Sequence, residues 1–186
     1  MRWWDTLLGR TKPVAPDLDA LFRLPSAAVT LKAASGFDPT GKGSVSFRAA
    51  EGGAFTELES DARALIGERA ERSTDQYGYT WLTVTYEPDD VGGLVTDLHA
   101  VNTSLEQAGF GPALLCSLVS FVGSAGERLA LVYLYKRGTF YPFAPLPGER
   151  RDNALELQVR GALSGELQIE RDLSRWFPVW GAPGIM

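Results

Sequence analysis

The segment from Leu114 to Phe143 constrains the fold most. Three short apolar runs, Leu114–Phe121, Leu129–Tyr135 and Thr139–Tyr141, are separated only by Gly123-Ser124-Ala125-Gly126 and Lys136-Arg137-Gly138. Connections this short join only antiparallel neighbours, because a parallel pair needs a crossover of a dozen residues or more. A β-meander is expected here, and the rest of the chain must cover it.

Upstream of the meander the hydrophobic period changes twice. Gln76–Tyr86 is dense in aromatic and β-branched residues and predicts a strand that stops at Pro88. Asp89-Asp90 then offers an N-cap, and Val91, Leu94, Val95, Leu98, Val101 and Leu105 form the buried stripe of a helix running to Gly109. Phe55, Leu58, Ala62, Leu65 and Ile66 predict a second amphipathic helix, with Glu59 and Arg63 at pairing distance on its other side.

The first third is more ambiguous. Asp17 is placed to cap a short helix carrying Leu18, Leu21 and Phe22, closed by Pro25. Ser26–Ala34 has a cap at Ser26 and a stop at Gly36 and is read as helix, although Val29-Thr30-Leu31 also suits a strand. Gly36–Gly43 reads as a turn-rich connection, and Ser44–Phe47 alternates like a strand. In Asp152–Leu163, Leu155, Val159 and Leu163 fit a helix while Leu155, Leu157 and Val159 fit a strand, and both readings stand.

These elements predict a single α+β domain over residues 1–186. Its mainly antiparallel sheet holds Gln76–Tyr86 and the meander, with the 55–66 and 89–109 helices packed on one face. Two aromatic ends flank it. At the start, Trp3, Trp4, Leu7 and Leu8 fall within one ~140° arc of a short helix, followed by a Pro13/Pro16 linker that closes a 1–16 segment. At the other end, residues 165–186 carry Trp176, Phe177 and Trp180. A helix shorter than about 12 residues persists only when docked. Tryptophan is favoured in interface hot spots and at membrane surfaces, so these seven side chains are the candidate partner or membrane contacts.

Composition excludes several function classes. The net charge is −5, and no basic run is longer than Arg150-Arg151, which argues against nucleic acid as a partner. The lone Cys116 lies in an apolar run and reads as a small buried hydrophobe in a reducing compartment. No apolar stretch of ~18 residues is present and the start lacks a signal-peptide pattern, so a cytoplasmic protein is expected.

Motifs that carry chemistry are equally sparse. Gly36–Gly43 matches the spacing of a phosphate-binding loop, but Gly43 stands where a hydroxyl is required and no helix follows. His99 is the only histidine and reads as a half-exposed boundary residue. One cysteine and one histidine give no zinc spacing, and a buried Cys116 is no nucleophile. Asp89 and Asp90 are accounted for by capping, and Asp97 points off the apolar stripe. No catalytic residue, metal or cofactor is therefore assigned.

The stretches Leu7–Pro13, Leu18–Leu31, Pro39–Val45, Arg151–Leu157 and Trp176–Trp180 together resemble the actinobacterial PspA-associated PspAB family. The resemblance implies a place in the phage-shock envelope stress response, whose PspA protein is a coiled-coil membrane-remodelling factor. It also implies an HtpX-like membrane protease as a second associate. The expected function is a non-enzymatic adaptor that binds a protein partner of that system. Two alternatives are a small-ligand-binding or hydrolytic enzyme with a pocket between sheet and helices, and peripheral docking to the inner face of the membrane through Trp3, Trp4, Leu7 and Leu8.

Overall fold

The computed structural model describes residues 16–185. Trp3, Trp4, Leu7, Leu8 and the helix expected around them lie outside the described residues. A 3-10 turn, Leu18–Arg23, runs directly into α1 (Leu24–Ser35). Pro25, expected to close a helix, instead opens one. It sits in the first turn of α1, where a missing N–H leaves no bond unmade and a fixed φ suits the helix. Ser26 does not cap; its hydroxyl donates to Glu166 Oε2 at 2.8 Å. Gly36 does end the helix, its N–H donating to Lys32 O at 2.9 Å.

Strand β1 (Asp38–Arg48) absorbs most of the stretch expected to be a turn. Its register against a neighbouring strand slips between Pro39 and Gly43, the mark of a bulge. Gly41 sits in the bulge at φ 80°, and a Cβ there would stand 2.1 Å from the Tyr86 carbonyl oxygen. At Gly43 a Cβ would meet the Leu98 side chain at 2.9 Å. The glycines of the apparent phosphate loop thus serve a kinked strand and a close helix–strand contact.

Helix α2 (Gly53–Ile66) follows, then β2 (Ala70–Thr74), a strand the sequence did not announce. Apart from the buried Ala70 its residues are polar and mostly exposed, and it earns its place by pairing with β3 (Tyr79–Thr85). Glu59 does not pair with Arg63 as expected; it takes a hydrogen bond from Arg72 on β2, tying the helix to the edge strand. Helix α3 (Val91–Leu105) is capped by Asp90, whose Oδ1 accepts from Gly93 N at 2.8 Å, and its last turn widens over Glu106–Phe110.

The meander forms as read: β4 (Leu114–Val122), β5 (Arg128–Leu134) and β6 (Thr139–Phe143). A two-residue pair, β7 (Pro145–Leu146) and β8 (Arg150–Arg151), leads to α4 (Asn153–Leu163). The open choice at 152–163 is settled as helix. Asp152 accepts from Leu155 N at 3.0 Å, and Val159 and Leu163, four apart, are both buried while Leu157 is exposed.

The six-stranded sheet has the order β2-β3-β1-β4-β5-β6, with every pair antiparallel. Alternation splits its side chains into two apolar layers. Val45, Phe47, Val119, Phe121, Leu131 and Tyr133 point into one core with residues of α1, α2, α3 and α4. Trp81, Cys116, Leu118, Val132, Tyr141 and Phe143 point the other way and are packed by Trp176, Ala182 and Ile185. The helices cover one face; irregular chain from the 165–185 region lies on the other. The outer edge of β6 is closed by Gln168–Glu170, which exchanges two backbone hydrogen bonds with Phe140.

Candidate functional site

The second face is only partly covered, and the remainder is a cleft of about 770 Å³. Its floor is a row of directly opposed residues fixed by strand register: Trp81 faces Ser46, Ser46 faces Cys116, and Cys116 faces Leu134. Tyr141 on β6, opposite Val132 and so two residues out of line with Leu134, also lines the floor. Five adjacent strands contribute, so the cleft runs about 19 Å across the sheet. One wall is the 175–180 segment, including Phe177, Val179 and Trp180.

That wall is held by identifiable bonds. Trp176 is 5% exposed and stacks on Tyr141 with ring centroids 6.1 Å apart. Its Nε1 donates to Glu170 O at 3.0 Å, and Tyr141 Oη donates to Phe177 O at 2.7 Å. Arg151 donates to the Trp176 carbonyl and lies over the Phe143 ring. Trp180, half-buried, meets Phe143 edge-on at 5.0 Å. Phe177, by contrast, is 58% exposed at the rim. Tyr77 and Leu115, two more exposed apolar side chains, line the same cleft. Of the terminal aromatics singled out from the sequence, then, Trp176 is an internal anchor, Trp180 is a wall, and Phe177 is presented to solvent.

The charged groups at the cleft divide by end. Beside β3, Asp75 is occupied: its carboxylate accepts from Trp81 Nε1 at 2.9 Å and from the backbone N–H groups of Tyr77 at 2.9 Å and Tyr79 at 3.0 Å. Towards β6 stand Lys136, Arg137 and Arg175. Arg137 Nε donates to Glu170 Oε2 at 2.9 Å, and Arg175 lies 3.4 Å from Asp172. Lys136 is exposed and, among the described residues, in no ion pair.

Reactive chemistry finds little support here. Burial, reinforced by the Asp75 charge, pushes the Cys116 thiol up to about 12, so it is not a thiolate at neutral pH. Burial likewise raises the Tyr141 hydroxyl well above the usual tyrosine range. His99 does not line the cleft. Its Nε2 is 3.0 Å from Asp19 Oδ1, its ring lies 4.6 Å from that of Phe22, and Thr103 Oγ1 is 3.5 Å from Nδ1. The Asp19 side chain is open to solvent. Asp90 serves as a helix cap, while Asp97 accepts from Tyr86 Oη at 2.6 Å and from Arg69. Among the described residues no three His, Cys, Asp or Glu side chains are grouped to hold a metal ion.

The cleft floor was not anticipated from sequence, although a signal existed. Leu114–Val122, apolar except at Ser117 and Ser120, and Leu129–Val132, apolar throughout, do not alternate, which is the pattern of strands buried on both faces rather than one.

The chain is thus an α+β protein with one helix-covered face and one partly open aromatic face. The family model for PspAB, PspA associated protein B, matches residues 1–184, and the chain belongs to that family. No curated protein and no solved structure matches it. No helix among the described residues is long and apolar enough to cross a membrane.

Proposed function

We propose that the chain is a non-enzymatic adaptor of the PspA-linked envelope stress response, binding a protein partner through the aromatic cleft of its second face. The family description names association with PspA, which supports a protein partner. The observation that carries the reading is the convergence of Phe177, Tyr77 and Leu115, all exposed, on one cleft backed by rigid strands. Aromatic side chains held at a solvated rim over a buried floor are what interface hot spots are made of. The inert state of Cys116 and the placement of His99 away from the cleft favour binding over catalysis.

On this reading the protein acts in the cytoplasm, beside the inner face of the membrane. PspA or an HtpX-like membrane protease is the partner. Trp3, Trp4, Leu7 and Leu8 supply a second contact, to the partner or to lipid. The test is affinity purification of the tagged chain from envelope-stressed cells. Recovery of a Psp-system protein or the protease, diminished by Phe177→Ala, is the expected result; an eluate containing neither overturns the assignment.

A further inference from the structure

The cleft's charge distribution says more about what fits it. The acid at its β3 end is consumed internally, because three N–H groups converge on Asp75. The cations at the β6 end are not consumed to the same degree: Lys136 has no ionic partner among the described residues, and Arg175, 3.4 Å from Asp172 and 3.9 Å from Glu170, keeps 42% of its side chain exposed. Between the ends the row is apolar except for Ser46. An occupant matched to this surface presents apolar side chains along the row and negative charge at one end only.

The dimensions favour a segment of a protein. A trench about 19 Å long accommodates roughly six residues of extended chain or about three turns of helix. It is also open along one side, where Phe177 and Tyr77 stand more than half exposed and can close over a side chain. We infer that the cleft captures a short apolar segment of the partner flanked by aspartate or glutamate, with its acidic end against Lys136 and Arg175. This rests on the adaptor reading above and specifies the chemistry its partner must offer.

The experiment is photo-crosslinking from the full chain in stressed cells, with Phe177→p-benzoylphenylalanine as the probe, followed by sequencing of the crosslinked peptide. The expected product is a segment of another protein with apolar residues next to acidic ones. Placing a like charge at the mouth with Lys136→Glu should cut its yield about tenfold, and Lys136→Arg should preserve it. Thermal melting confirms that each variant is folded, which the exposure of Lys136 makes the expected result. A crosslink to lipid, to a second copy or to a segment without acids overturns the inference, as does no crosslink or a yield indifferent to Lys136→Glu. If a Psp-system protein still copurifies in any of those cases, the adaptor reading survives and only the cleft's specificity falls. If nothing copurifies, both fall.

Discussion

The Glu170 carboxylate accepts from Arg137 Nε at 2.9 Å, Thr139 Oγ1 at 2.9 Å and Asp172 N at 3.1 Å, while its backbone closes the edge of β6. Burial alone would raise its pKa, but these bonds outweigh burial and hold it below the ordinary carboxylate range. A folded-state pKa below the unfolded one means the group stabilises the fold above the unfolded value, near 4.5, and loses that contribution as pH falls through the folded value. Glu170→Gln should therefore cost about 2 kcal/mol at neutral pH. It should also flatten the acid limb of the stability profile, both read from urea unfolding at a series of pH values. Cys116 gives a second expectation at this scale. With its thiol raised to about 12 and packed in the second core, it should resist alkylation by iodoacetamide in the native protein and react fully in denaturant, as followed by mass spectrometry.

Among the elements, β1 departs furthest from its sequence pattern. Tyr86 N donates to Gly41 O at 2.8 Å, so the bulged backbone is pinned against β3's exit, and φ 80° at Gly41 has no room for a side chain. Gly41→Ala should destabilise the fold by about 2 kcal/mol, measured by denaturant midpoint. Glycine and proline count against regular structure in any local reading, which is why Pro39-Thr40-Gly41-Lys42-Gly43 looked like a loop; pairing with two neighbours overrides that preference. The helix at 89–109 was legible from its clean period, and the three meander strands from the tight turns that separate short apolar runs. The short polar strand β2 was not, because only tertiary pairing identifies it. The same holds for the candidate site. Phe177 and Trp180 stood out as aromatics near the end of the chain, whereas the Trp81–Ser46–Cys116–Leu134 row exists only once three registers are fixed.

For the molecule as a whole, neighbouring aromatics on the cover have opposite duties, and the difference is measurable. Trp176 fills the second core against Tyr141, so Trp176→Ala should cost about 3 kcal/mol and increase binding of a hydrophobic dye as the cover loosens. Phe177 is one residue on and mostly exposed, so Phe177→Ala should leave stability within about 0.5 kcal/mol while weakening partner recovery. Equal destabilisation by the two substitutions would show that Phe177 is structural. The cover also has a consequence for biosynthesis. All six strands of the main sheet are encoded before Trp176, Ala182 and Ile185, so a growing chain can assemble the whole sheet while Val132, Tyr141 and Phe143 still lack their lid. For that interval the nascent protein shows the ribosome's surroundings a sticky aromatic face, and a chaperone that shields it until translation passes residue 185 would find its natural client here.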